Sequence, residues 1–133
     1  MKLVIHVDGG ARGNPGPAAI GVVIANADGE LLEEVAETIG ETTNNVAEYR
    51  ALLRGLERAH ALGADDVEVV GDSELVAKQV MGQYKVKHAG LRPLHAEALT
   101  ALAAFSRWSV RTVPRAQNAT ADALVNAALD AAR

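Results

Sequence analysis

The spacing of apolar residues changes several times along the chain, and each change marks an element. Residues 2–8, Lys-Leu-Val-Ile-His-Val-Asp, are rich in β-branched residues, partly alternate, and run into Gly9-Gly10, which predicts a strand closed by a turn. Residues 12–17 hold two glycines and two prolines and predict a further turn. A second apolar strand is predicted over 18–26, a hairpin turn at Asp28-Gly29, and a third strand over 31–40, with Glu33 and Glu34 marking an exposed side. Short turns between adjacent strands imply an antiparallel meander. The period then becomes helical. Val46, Tyr49, Leu52, Leu53, Leu56, Ala59 and Leu62 form one stripe over 44–62, which Gly63 ends. Residues 67–71 predict a short buried strand. A helix is predicted over 73–81 and stopped by Gly82, another over 91–105, a strand over 108–113, and an alanine-rich helix over 118–133. The order βββαβααβα, with right-handed crossovers, predicts an α/β fold: a mixed five-stranded sheet flanked by helices, with strands one to three antiparallel and strands four and five parallel to the first.

Composition narrows the chemistry. A length of 133 residues fits a single domain spanning 1–133. The absence of cysteine excludes disulfides, zinc–thiolate sites and a cysteine nucleophile, and 3% aromatic content implies an aliphatic core. No apolar run has the length of a membrane span and the start lacks a signal-peptide pattern, so the expectation is a cytoplasmic protein with no membrane partner. A monomer is the separate expectation for its assembly. The net charge of −4 argues against a polyanionic partner until its distribution is considered. Residues 28–41 carry six acids and no base, whereas 75–115 carry seven bases and one acid. One part of the surface could therefore face a polyanion.

Four carboxylates sit where elements begin or end: Asp8, Glu48, Asp72 and Asp122. Each has an ordinary structural reading. Asp8-Gly9 suits a turn, Glu48 follows Asn45 at capping-box spacing, Asp72 suits the N-cap of the next helix, and Asp122 suits a first-turn acid after a cap at Asn118 or Thr120. Two features point elsewhere. Glu48 lies on the apolar stripe of its helix, and Asp8 and Asp72 end strands expected to be parallel neighbours, where α/β sheets form crevices. Clustered carboxylates raise one another's pKa, and a divalent cation relieves that repulsion. An all-oxygen donor set suits Mg²⁺, with Mn²⁺ as a substitute, and two such ions serve phosphodiester hydrolysis.

Four segments carry a resemblance. Val-Asp-Gly-Gly-Ala-Arg-Gly-Asn-Pro-Gly-Pro-Ala at 7–18, Thr-Thr-Asn-Asn-Val-Ala-Glu-Tyr at 42–49, Gly-Asp-Ser-Glu-Leu-Val at 71–76 and Val-Pro-Arg-Ala-Gln-Asn-Ala-Thr-Ala-Asp-Ala-Leu-Val-Asn at 113–126 resemble, in order, the motifs of type 1 ribonucleases H. The resemblance implies the ribonuclease H-like fold and an Asp-Glu-Asp-Asp metal tetrad at Asp8, Glu48, Asp72 and Asp122. It further implies endonucleolytic hydrolysis of the RNA strand of RNA–DNA hybrids with two Mg²⁺ ions, leaving 5′-phosphate and 3′-hydroxyl ends. Substrate contacts are implied at Asn14, Asn44, Asn45 and Asn118, and at Thr43 for a DNA-strand phosphate.

Three positions depart from the family pattern. Arg115 stands on the loop where many members carry a histidine, and none of His6, His60, His88 and His95 matches that motif. Arginine cannot serve as a base but can hold a phosphate. Glu74 replaces a glutamine implied to contact the minor groove. Residues 82–94 replace a long basic handle with Lys85, Lys87, His88 and Arg92, and Lys85, Lys87 and Arg92 are expected to contact the DNA-strand backbone. This pattern is similar to a handle-less archaeal-like and actinobacterial branch, some of whose members cut other RNA-containing duplexes. A hybrid-binding module without cleavage, another metal nuclease on the same fold and a scaffold protein are the competing readings.

Overall fold

The computed structural model describes residues 1–132; residue 133, at the end of the predicted last helix, lies outside the described residues. Strands β1 (Lys2–Ala11), β2 (Gly16–Asn26) and β3 (Leu31–Thr42) form the meander, and β4 (Asp66–Gly71) and β5 (Arg107–Thr112) complete the sheet in the order β3-β2-β1-β4-β5. β1 pairs antiparallel with β2 and parallel with β4, and β4 pairs parallel with β5, as the element order predicted. Helices α1 (Asn44–Ala61), α2 (Glu74–Val80) and α3 (Arg92–Ala103) pack on one face and α4 (Ala119–Ala131) on the other.

Strand alternation sorts the residues of β1 between these faces. Leu3, Ile5 and Val7 point into the main core with Tyr49, Leu52, Leu56, Val67, Val69 and Leu102. His6 and Asp8, at the alternate positions, face α4. Beneath α4 the core is smaller: Ala19, Val125 and Leu129, with Ala128 packed against them.

The predicted turn at Gly9-Gly10 is instead strand. β1 continues through Gly9, Gly10 and Ala11, which pair with Ile20, Ala19 and Ala18. The glycines serve close approach. A Cβ on Gly9 would lie 2.2 Å from the carbonyl oxygen of Ala47, in the first turn of α1. On the opposite face, Gly21 is the register partner of Asp8, and a Cβ there would lie 2.3 Å from the carbonyl oxygen of Ala121, in the first turn of α4. Both helices therefore bring their N-terminal turns onto the backbone beside Asp8.

This packing predicts that Gly21→Ala, which must push α4 off β2, lowers stability by about 2 kcal/mol or more, as overpacked sites do. A thermal melt of the metal-free protein checks it, and an unchanged midpoint would contradict the close approach.

Candidate active site

Asp8 lies just past the end of the β1–β4 parallel ladder, whose last pair is His6–Val70. Asp72 follows the last residue of the neighbouring strand β4. Glu48 arrives from α1 on one face and Asp122 from the first turn of α4 on the other. One carboxylate oxygen from each of Asp8, Glu48 and Asp72 falls within 4.8 Å of the others, and Asp122 lines the same cleft. Asn44, Asn45, Ser73, Arg115, Arg12 and Asn126 are on its walls.

Local hydrogen bonding explains why these acids are free to meet. The cap of α1 is Thr43, whose Oγ1 accepts from the Val46 amide at 3.3 Å, so the expected Asn45–Glu48 capping box does not form. Glu48 reaches across to the sheet and accepts from the Gly9 amide at 2.6 Å. Ser73 rather than Asp72 caps α2, accepting from the Val76 amide at 3.3 Å. Asp122 stands in the first turn of α4, where the helix dipole favours an anion. Its Oδ1 accepts from the Arg115 guanidinium at 3.1 Å, and the Asn126 amide lies 3.4 Å from its Oδ2.

The concentration of acids is electrostatically unfavourable without a cation. Asp8 is 6% exposed. Burial, followed by the charges of Asp72 and Asp122, pushes its carboxyl up to about 8. Glu48 is pushed up to about 9, chiefly by burial and then by the charges of Asp8 and Asp72, while the Gly9 amide opposes the shift. Arg115 is held above its ordinary value by its hydrogen bond and ion pair with Asp122 and remains a cation. Four oxygen-donor side chains sharing one cleft, with two of them driven towards the neutral form, fit a hard divalent ion.

The remaining predicted positions divide into two groups. Near the cleft, Asn14 Oδ1 accepts from the Asn44 amide at 3.0 Å, and Asn44 Oδ1 accepts from the Ala11 amide at 2.8 Å. These bonds tie the 12–17 turn to the start of α1 and leave Asn45 exposed on the wall. Elsewhere, Glu74 pairs with Lys78 at 2.5 Å, and Lys85 and Lys87 are exposed in the segment between α2 and α3. Asn118 corrects an expectation. It is 1% exposed, and its amide is spent inside the protein on the Val7 carbonyl at 2.8 Å and the His6 ring at 3.2 Å, so it presents nothing to a substrate. Two further wall residues escaped the sequence reading: Asn126, which also donates to the Asp122 carbonyl, and Arg12, which pairs with Asp130. The four-residue spacing of Asp122 and Asn126 on one helix face was the available signal.

Residues 6–128 match a family described as reverse transcriptase-like. The chain is 50% identical over 133 residues to a bifunctional protein of Mycobacterium tuberculosis, covering 99% of this chain and 36% of that protein. It is 49% identical over 129 residues to ribonuclease HI of Halobacterium salinarum, covering 97% of this chain and 65% of the relative. It thus spans about a third of the first relative and just under two thirds of the second. The crystal structure of RNase H1 from Halobacterium salinarum superposes with a TM-score of 0.96 at 47% identity, with 98% of each chain covered. That of LC11-RNase H1 in complex with an RNA/DNA hybrid gives 0.93 at 47% identity, again with 98% of each chain covered. Sequence and architecture agree along almost the whole length, and the chain belongs to the ribonuclease H family.

Proposed function

We propose that residues 1–133 act as one ribonuclease H domain that hydrolyses the RNA strand of RNA–DNA hybrids, leaving 5′-phosphate and 3′-hydroxyl ends. The observation that carries the reading is the approach of Asp8, Glu48 and Asp72 oxygens to within 4.8 Å of one another at the carboxyl edge of two parallel strands. The 47% identity to an RNase H1 crystallised with an RNA/DNA hybrid supports the substrate class.

Asp8, Glu48, Asp72 and Asp122 would hold two Mg²⁺ ions, with Mn²⁺ as a substitute. Bound there, the ions would supply Lewis-acid activation of water and neutralise charge on the phosphate and the departing oxygen. Asp8, nearly without solvent, fixes the centre of the site, and the Gly9 amide aims Glu48 at it. Asn14, Asn44, Asn45 and the backbone near them provide donors and acceptors for ribose 2′-hydroxyls, the feature that separates RNA from DNA. Thr43, Glu74, Lys85 and Lys87 extend the substrate surface, the two lysines through phosphate contacts that position without reading sequence. Arg115, 77% exposed and paired with Asp122 at 3.1 Å, stands where its outer guanidinium face can hold the scissile or product phosphate. A monomeric, cytoplasmic enzyme accords with this reading; among the described residues no helix is long and apolar enough to cross a membrane.

The direct test incubates labelled RNA–DNA, RNA–RNA and DNA–DNA duplexes with the protein, with and without Mg²⁺ or Mn²⁺. Metal-dependent cutting of the hybrid's RNA strand is expected, and indifference to metal or to sugar would refute the reading. Asp72→Asn keeps size and removes charge; turnover should fall by about 10³-fold, several kcal/mol of transition-state stabilisation, with hybrid binding retained.

Arg115→Ala should lower turnover by about one to three orders of magnitude, roughly 1.4–4 kcal/mol. Lysine should recover part of the loss as a point charge, and histidine should introduce a pH dependence near its pKa of about 6.5. Cleavage by Arg115→Ala at the wild-type rate would make the residue a bystander.

A further inference from the structure

His6 stands one strand repeat before Asp8 on the α4 face of β1. Its Nδ1 lies 3.2 Å from Oδ1 of Asn118, the residue at which the short 3₁₀ turn Arg115–Asn118 passes into α4. Asn118 is placed as an N-cap, a position where asparagine ordinarily accepts from an amide of its own helix, yet it makes no side-chain cap bond. Its Nδ2 donates instead to the Val7 carbonyl at 2.8 Å. A carbonyl only accepts, so this bond fixes the amide's orientation and presents Oδ1 to the histidine. Oδ1 also only accepts, so His6 Nδ1 must carry the proton. A buried asparagine with both ends of its amide committed to β1 therefore anchors the junction that has Arg115 three residues before it and Asp122 four residues after it.

We infer that His6 is a positioning residue for the reaction: its Nδ1–H bond to Asn118 clips the Arg115 loop and the first turn of α4 to β1, and so sets where Arg115 and Asp122 stand relative to Asp8. His6 is not among the residues that line the cleft. Its effect passes through Asn118, and it supplies part of the rigidity that a loop-borne arginine needs, since small displacements of catalytic groups have large kinetic effects. The inference rests on the nuclease reading for its kinetic consequence but not for the hydrogen bond itself.

Two measurements test it. In the metal-free, ¹⁵N-labelled protein above pH 8, long-range ¹H–¹⁵N correlations should show His6 as the Nδ1–H tautomer; the Nε2–H tautomer would overturn the inference whether or not the chain proves to be a nuclease. In the hybrid assay, His6→Leu should lower kcat about tenfold or more with KM changed by less than about twofold, and should raise the Mg²⁺ concentration needed for half-maximal rate. His6→Asn, which can place an amide donor near the Nδ1 position, should recover most of kcat. Wild-type kcat in His6→Leu, or equal damage in the asparagine and leucine variants, would overturn the positioning role. Failure of the wild-type protein to cleave any hybrid would refute the nuclease reading and the positioning role with it, while the tautomer would still decide the bond.

Discussion

Two backbone positions without side chains, Gly9 and Gly21, control everything around Asp8. They lie next to it on the same strand and opposite it on the neighbouring strand, and each admits the first turn of a helix, α1 from one face and α4 from the other. Helix N-termini then converge on a strand end, and the carboxylates they carry meet Asp8 and Asp72 in one cleft. The protein offsets this repulsion only in part. The Gly9 amide supports Glu48, and Arg115 and Asn126 occupy the oxygens of Asp122. Asp8 has burial and two neighbouring acids against it. The site is thus built for a charge that the chain itself does not provide.

The uneven charge of the sequence resolves into different uses. The acid-rich stretch lies largely on β3, at the sheet edge two strands from β1. There Glu33 is gripped by Arg58 at 2.7 Å and Glu37 by Arg54 at 2.9 Å, which fastens α1 to the meander. Burial of these acids is modest and the pairs are partly exposed, so their contribution is small, but they remove much of the stretch from the electrostatic argument. The base-rich stretch is split between the pairs Lys78–Glu74, Arg111–Glu68 and Arg115–Asp122 and the exposed Lys85, Lys87, Arg92 and Arg107. A net charge of −4 is compatible with a nucleic-acid partner once the acids are seen to be concentrated at the cleft and on the far edge.

Much of the fold was legible in the residues because hydrophobic period and turn chemistry agreed, most clearly in the stripe from Val46 to Leu62 and the stop at Gly63, whose φ is 91°. The four acids were legible as a group because each stood at an element end in the predicted pattern and Glu48 lay on an apolar stripe. What could not be read was how side chains choose among equivalent hydrogen-bond partners. Thr43, Asn44 and Asn45 are all capable caps, and Thr43 takes the position; Asp72 and Ser73 are both capable, and Ser73 takes it. Gly9-Gly10 reads as a turn in sequence, and only the approach of α1 reveals why strand continues through it. Asn118 sits inside a motif that suggests substrate, whereas its environment is set by β1, more than a hundred residues earlier in the chain.

Carboxylate repulsion at this edge is relieved by a divalent ion, and the thermal stability of the protein against pH, with and without Mg²⁺, tests this most directly. Burial and the neighbouring acids push the carboxyls of Asp8 and Glu48 up to about 8 and about 9 in the folded chain, above the values of about 4 expected when unfolded. The folded state therefore binds more protons across that interval, and metal-free stability must fall as pH rises from about 5 to about 9. The depressed carboxyls of Glu33, Asp65 and Glu74 act with the opposite sign, but below this window. A metal-free Tm that drops by about 5 °C or more between pH 5 and 9, with Mg²⁺ restoring most of it at pH 9 and little at pH 5, is the predicted result. A metal-free Tm that is flat or rises over the same range, or one that Mg²⁺ leaves unmoved at pH 9, would contradict it.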